Sequence, residues 1–420
     1  MLKAIKEFLF NLNPDMVIQA PSRINIINPL DAVEGDFWMP SVAINGKNNP
    51  LSAFLYLKKL DGISRVKIYG VKKTKTHFKF NVISEEIVSK NIGTNIKNLI
   101  GQQKLIYAGI NRLCKMNSWF NKRFLKSNME IGLLTTIPRQ SGLGGSSAII
   151  IAVIYGLALY FNLYNNLNVL EENEFHINKD IIAEIAMRVE DKDLKITGGY
   201  SDRYVISRGG LCFCSYRGKL YHKEISNEPL AIYDRIDETY NINHLPIIVC
   251  YSGMVHESGN VHRILRELYL KQHPQIIENY RLLAEISWKS RYALMNHNWK
   301  QLGEYFEENT QIMDNIMTIA GFKYGIGLVN NILIKLIKEH NEVYGAKLTG
   351  AGNGGSVFAL VNPDKIETIC NFWRNQLYKI VIDAKAFSLK FPKCPLSIRE
   401  QLKHAQFFQI VIDKSGVKKI

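Results

Sequence analysis

The 420 residues exceed what one ordinary hydrophobic core organises, so the chain reads as two domains. An apolar fraction of 46% and a charged fraction of 22% are those of a globular protein and exclude a disordered or fibrous one. The net charge of +15 favours acidic small molecules; no block of five like charges and no basic stripe interleaved with aromatics occurs, so nucleic acid is not an expected partner.

The first segment, MLKAIKEFLFNLNPD, has too short an apolar stretch for a signal peptide and no small-residue cleavage site. Short β-branched runs follow at MVIQAPSRINII, LSAFLYLKKL and SRVKIYGV, which read as strands. Asn98 to Leu113 reads as a helix and Asn128 to Thr136 as a strand. A Gly/Ser loop comes next, then an apolar run from Ala148 to Phe161. At about 14 residues that run is short of the roughly 20 that span a bilayer, so it reads as a buried helix with no membrane role. Asn178 to Val189 is an amphipathic helix with Asn178 as its N-cap. Gly198 to Arg203 reads as a turn, and Tyr204 to Tyr216 as strand and turn. Val261 to Met317 is mostly helical, broken near His273-Pro274 and at Asn296-His297-Asn298. Strands return at Ala346–Leu348, Gly355–Val361 and FFQIVID. This is an α+β pattern whose character changes near residues 220–245, which divides the chain into 1–225 and 226–420. The six cysteines have no CxxC spacing and no histidine cluster beside them. They read as free thiols of a reducing compartment, and a cytoplasmic setting is expected.

Five stretches carry chemistry. Pro138-Arg-Gln-Ser-Gly142-Leu143-Gly144-Gly145-Ser146-Ser147-Ala148 places a glycine loop and two hydroxyls between a strand and an apolar helix. Glycines let backbone N–H groups approach an anion, and the helix dipole favours it. The pattern is not GxxxxGK[ST], so it is no Walker A loop. Lys347-Leu-Thr349-Gly350-Ala-Gly352-Asn-Gly354-Gly355 is a second glycine turn between strands, suited to an anion or to a plain flexible hairpin. Glu190-Asp191-Lys192-Asp193 ends a helix with acidic residues, against the dipole, which suggests metal binding; a solvated acidic run is the alternative. Gly199-Tyr200-Ser201-Asp202-Arg203 sets a carboxylate beside a cation. Finally, Arg23-Ile-Asn-Ile-Ile-Asn28-Pro29-Leu30-Asp31 ends a strand in a proline turn.

Three of these stretches, in this order, resemble the motifs of the GHMP kinases: Pro-x-Arg-Val-Asn-Leu-Ile, Pro-x-x-x-Gly-Leu-Gly-Ser-Ser-Ala and Lys-x-Thr-Gly-Ala-Gly-Gly-Gly-Gly. Within the family, Asn28-Pro29-Leu30-Asp31, Asp191-Lys192-Asp193-Leu194 and Ser258-Gly259-Asn260-Val261-His262 are similar to the glucuronokinase-type anomeric sugar kinases. The Gly-Glu-His-Thr-Asp of galactokinases is absent, one residue before Asn28 is missing relative to that branch, and Asn353 interrupts the last glycine run.

The resemblance implies a ribosomal-S5-like N-terminal domain that binds ATP, a ferredoxin-like C-terminal domain, and a site between them. It implies transfer of the γ-phosphoryl group of ATP, with Mg²⁺, to a sugar hydroxyl, the anomeric one of a uronic acid or related hexose. It assigns ATP to Pro138, Gly142, Leu143, Gly144, Gly145, Ser146, Ser147 and Ala148. The metal goes to Ser146 with Asp191 or Glu190, the motif match favouring Asp191. The base is Asp202, with Arg23 beside it. The substrate goes to Asn28, Asp31, Thr349, Gly350 and Gly352. His262 is either functional or structural. The expected partner is the small-molecule substrate, for a monomer or homodimer. A mevalonate-type or other metabolite kinase of the family, or a family-fold sensor without turnover, is the alternative reading.

Overall fold

In a computed structural model the described residues are 1–28, 30, 38–74, 77–88, 99, 101–164, 177–216, 230–254, 258–350 and 352–420. Asp31 and the 225/226 division lie outside them. Helix α1 (Leu2–Phe10) precedes strands β1 (Met16–Asn25), β2 (Trp38–Gly46), β3 (Ser52–Lys59), β4 (Arg65–Lys73) and β5 (Phe78–Ile87). Helices α2 (Gly101–Met116) and α3 (Ser118–Lys126) lead to β6 (Met129–Thr135), α4 (Gly145–Tyr160) and α5 (Lys179–Arg188). After a π-turn at Val189–Asp193 come α6 (Ser201–Arg208), β7 (Leu211–Ser215), β8 (Ile232–Arg235), α7 (Ile236–Thr239) and β9 (Ile247–Tyr251). Four helices follow: α8 (Ser258–Leu270), α9 (Pro274–Met295), α10 (Trp299–Ile319) and α11 (Leu328–Ile337). The chain closes with β10 (Val343–Leu348), β11 (Ser356–Val361), α12 (Ile366–Ile382), α13 (Ala384–Lys390), α14 (Ile398–Leu402), β12 (Gln406–Ile412) and β13 (Lys418–Lys419).

The sheet runs β10-β11-β9-β12-β2-β1-β3-β6-β4-β5, with β13 on β1, β7 on β2 and β8 on β7. Strand β1 changes partner along its length. Met16 to Pro21 pair with β3, and Ser22 to Asn25 pair with β2. The switch falls at Pro21, which has no N–H to give a ladder. Beyond it the end of β1, with Arg23, runs along β2. Strand β12 joins β9 to β2, so the C-terminal strands are continuous with the first half's sheet.

Helix α4 fills the space between the sheet and its neighbours. Its apolar residues bury all round, with Ile150, Ile151, Val153, Ile154 and Leu157 fully enclosed, as expected of a core helix. Among the described residues no helix is long and apolar enough to cross a membrane.

The expected helix at Asn178 and the three-helix run with breaks at His273 and Asn296 are present, and the Asn178 side chain caps the Ile181 N–H at 2.9 Å. One segment differs. Residues 201–208 are a helix, not turn and strand. The helix stops at Gly209, where Gly209 and Gly210 have φ of 83° and 77°, and only then does β7 begin. The glycine pair is a helix stop and not a break within a strand. Strands β2 and β5 and helices α11 and α12 have no counterpart in the sequence reading.

Candidate functional site

The glycine loop before α4 is held from two sides. From β1, Ser22 Oγ donates to Leu143 O at 2.7 Å and the Arg23 N–H to the same oxygen at 3.3 Å. Arg23 Nη1 donates to Gly142 O at 2.5 Å. Gly144, the N-cap of α4, has φ 76°, and a Cβ there would meet Ile206 Cδ1 at 2.9 Å and Arg23 Cγ at 3.2 Å. Glycine is required on both counts. No side chain caps the helix, so its first N–H groups remain available to an anion. Leu143, Ser147 and Ala148 are buried, while Pro138, Gly142, Gly145 and Ser146 are half-buried, so the loop offers one face outward.

The second glycine turn closes against the first. A Cβ on Gly350 would lie 3.6 Å from Gly142 Cα, and Ser356 Oγ donates to Ser141 O at 2.8 Å. Gly352 has φ 95° beside Ile326 O. The Thr349 and Ser141 hydroxyls at this seam are buried without partners. Lys347 does not reach the loop. It is fully enclosed, donates to Leu348 O at 2.7 Å and Asn25 O at 3.3 Å, and lies 4.8 Å from the Phe358 ring centre. Burial pulls its ammonium down to about 7.

Asp202 stands in the first turn of α6 and is gripped by Arg23 through both oxygens: Nε to Oδ1, and Nη2 to Oδ2 at 2.5 Å. Its side chain is 17% exposed against 7% for Arg23, so one edge of the pair faces outward. Burial alone would raise the Asp202 carboxyl. Arg23, then Arg203 and His262, outweigh it and hold the group below its ordinary value. His262, on α8, therefore belongs to the electrostatic surroundings of Asp202.

The acidic turn after α5 is not a solvated run. Its i→i+5 bond, Leu194 N–H to Val189 O at 3.0 Å, widens the helix end and fans out the carboxylates. Glu190 turns inward, where Ser146 Oγ donates to Oε1 at 2.6 Å and Ser147 Oγ to Oε2 at 2.9 Å. Arg203 pairs with the same carboxylate. Asp191 turns to Arg266 Nη1 at 3.2 Å, and Asp193 accepts two bonds from Arg112 at 2.8 and 2.6 Å. The carboxylate beside Ser146 is thus Glu190, although the motif match favours Asp191. Arg112, Arg266 and Arg203 as the turn's partners were not read from the sequence, since nothing local marks them.

Among the described residues no group of three His, Cys, Asp or Glu side chains gathers as a metal cage. One carboxylate and one hydroxyl suit an ion that takes its other ligands from phosphate and water, which is how Mg²⁺ binds. The donors at Ser146 and Glu190 are hard oxygens and fit that ion.

A family model described as the GHMP kinases N terminal domain matches residues 104–210, and one described as GHMP kinases C terminal matches residues 290–379. The chain belongs to the GHMP kinase family. This GHMP family member is 26% identical over 249 residues to "Probable glucuronokinase 2" of Arabidopsis thaliana, covering 58% of this chain and 60% of that one. It is 25% identical over 248 residues to "D-glycero-alpha-D-manno-heptose 7-phosphate kinase" of Campylobacter jejuni, covering 58% of this chain and 65% of that one. The matches therefore span less than two thirds of the length of these curated relatives. The fold is that of Lactococcus lactis galactokinase complexed with galactose, with a TM-score of 0.62 at 15% identity and 100% of both chains covered.

Proposed function

We propose that this GHMP family member is an ATP-dependent kinase that phosphorylates a hydroxyl of a small sugar, at the finest level the anomeric hydroxyl of a uronic acid or related hexose. The kinase reading is carried by one juxtaposition. Around the loop 142–147 meet an uncapped helix start, the Glu190–Ser146–Ser147 cluster and the Arg23–Asp202 pair. Phosphoryl transfer needs positioning and charge neutralisation more than covalent chemistry, and these groups supply both.

The N–H groups at the start of α4 would receive the nucleotide phosphates, and the glycine seam at Gly142 and Gly350 would close over them. Ser146 and Glu190 would hold Mg²⁺, which when bound neutralises phosphate charge. Asp202 orients the acceptor hydroxyl by accepting its hydrogen bond. As the acceptor oxygen bonds to the γ-phosphorus, the bond to the bridging oxygen breaks and ADP leaves; the hydroxyl proton passes to Asp202. A carboxylate held low by Arg23 is a weak base, which suits a loose transition state where the hydroxyl acidifies only as its bond to phosphorus forms. The sugar half rests on the Asn28–Asp31, Asp191–Leu194 and Ser258–His262 similarities and on the names of the relatives from Arabidopsis and Campylobacter.

The test is ADP release with ATP and Mg²⁺ over glucuronate, galacturonate, galactose, a heptose and mevalonate. Turnover of a uronate or related hexose is expected. Turnover of mevalonate alone would overturn the sugar half and leave the kinase half standing, and a neutral sugar above both uronates would overturn the acid specificity.

A further inference from the structure

Buried polar side-chain atoms without a partner are few among the described residues, and several gather where β1, α10 and β10 meet. Asn28 follows β1 with a φ of 51° and is wholly enclosed; both its Oδ1 and its Nδ2 are unpartnered. Beside it on α10 stands Asn309, also wholly enclosed. Its Oδ1 accepts from the Asn28 backbone N–H at 3.2 Å, and its Nδ2 is unpartnered. This turn of α10 is fixed to β10: the Ala346 N–H donates to Glu307 Oε1 at 3.3 Å, and Thr310 Oγ1 to Ala346 O at 3.4 Å. Strand β10 in turn leads into Thr349, whose enclosed hydroxyl is likewise unpartnered. A fold that shuts amides away from water without partners loses stability, and such groups call for an explanation in what the site binds.

We propose that Asn28 and Asn309 together form a hydroxyl-reading subsite of the acceptor pocket, one that takes two neighbouring hydroxyls of the sugar. The inference rests on the sugar-kinase reading above and adds a residue from the second half of the chain that no motif marks. The pair offers two amide donors, the Nδ2 groups, and one acceptor, Asn28 Oδ1. Hydroxyls both give and accept, so a vicinal pair satisfies all three atoms. A carboxylate only accepts and would confront Asn28 Oδ1. Arg23, Arg203 and Arg266 already hold Asp202, Glu190 and Asp191, so these three cations are engaged elsewhere. The subsite thus reads the neutral hydroxyls of the ring and not its acid group. Neither amide reaches solvent, so the acceptor enters only when the Asn28–α10 contact opens, and binding is coupled to that opening.

The test is steady-state kinetics on the full chain with ATP, Mg²⁺, glucuronate, glucose, galactose and single-deoxy analogues of each. Asn309→Ala is expected to raise KM for an accepted sugar about 10-fold, the worth of one hydrogen bond between uncharged groups, with KM for ATP unchanged. The loss should be equal for a uronate and its neutral parent. An analogue lacking the hydroxyl read by Asn309 should show the same KM in wild type and variant. Asn28→Gly, which keeps the left-handed backbone, should give the same pattern and stands in if Asn309→Ala does not fold. Unchanged sugar KM in a folded variant overturns the subsite. A loss confined to uronates overturns the hydroxyl reading in favour of a carboxylate. A wild type that turns over none of the sugars removes the sugar-kinase reading first, and the subsite with it.

Discussion

In the mechanism proposed above, Asp202 combines two roles that pull apart: it would accept a proton, yet a guanidinium holds it ionised. Asp202→Asn is expected to lower kcat by roughly 10²–10⁴-fold while nucleotide still binds, as read by a coupled assay beside calorimetric titration. Wild-type turnover in that variant removes Asp202 from the mechanism. Because its carboxyl is lowered in the fold, its stabilisation is present above the unfolded carboxyl's value and is lost as pH falls through the folded one. Asp202 therefore contributes no acid limb to kcat/KM above about pH 4, the ordinary carboxyl range. Glu190 and Asp191 give a sharper comparison. Ser146→Ala and Glu190→Gln should raise the Mg²⁺ needed for half-maximal rate, and Asp191→Asn should leave it nearly unchanged; the reverse order would return the metal to Asp191. Lys347 has a linkage of the same sign in a higher pH window, but as a burial cost and not as a stabilising pair. Its ammonium is lowered from 10.5 to about 7, so the folded state binds fewer protons than the unfolded one between those values. Stability from this group rises with pH across that window, and the full burial cost persists below about 7. Lys347→Met should flatten the pH dependence of the melting temperature between pH 7 and 10. A slope equal to wild type would show that the buried ammonium is not what sets it.

At the scale of elements, the sequence was most legible where backbone chemistry is demanding. Gly142 and Gly144 sit at positive φ where the loop meets Thr349 and Arg23, and only glycine fills such positions without strain. That demand writes itself into the sequence. The breaks at His273-Pro274 and Asn296–Asn298 were legible for the same reason, through a proline at a helix start and an asparagine cap. Helix α6 was misread because its eight residues carry too little periodicity to outweigh the glycine pairs on either side. Strand β5 was unread because it lies at the sheet edge, largely exposed, with polar and charged residues interleaved among its apolar ones. Asn309 and Arg266 left no signal at all, since each is defined by what lies across from it in space. The π-turn is the element on which the site's charge pattern depends. By fanning Glu190, Asp191 and Asp193 toward Ser146, Arg266 and Arg112, it converts a run of like charges into separate pairs. Arg112→Ala should free one arm of that fan. Thermal unfolding is expected to come several degrees earlier, since the pair is largely enclosed, and the Mg²⁺ requirement should rise less than in Glu190→Gln.

At the scale of the molecule, the proposed division into residues 1–225 and 226–420 leaves strands of the second segment in the sheet of the first. Strand β12 lies along β2, and β13 lies along β1 at Ile18 and Gln19, a few residues before Arg23. The stretch from Asp413 onward also wraps the end of α6. The Gly210 N–H donates to Asp413 O at 2.7 Å, and the Val417 N–H to Ile206 O at 2.9 Å. Lys179 adds a bond to Ser415 O at 2.6 Å, with burial drawing its ammonium down to about 8. The two elements that carry Arg23 and Asp202 thus share one support. Removing residues 413–420 should lower both the melting temperature and kcat. An intact kcat in a folded truncation would show that β1 and α6 keep their register unaided.

This arrangement has a consequence for folding. The backbone N–H of Ile420 donates to Val17 O at 3.0 Å, so strand β1 is completed by a residue far along the chain. Contacts so distant along the chain close slowly, after loop entropy has been overcome. A folding chain lacking that closure holds Arg23 on a strand with an open flank. Until that pairing closes, β1 presents an unpaired edge, the kind of surface through which folding chains associate wrongly.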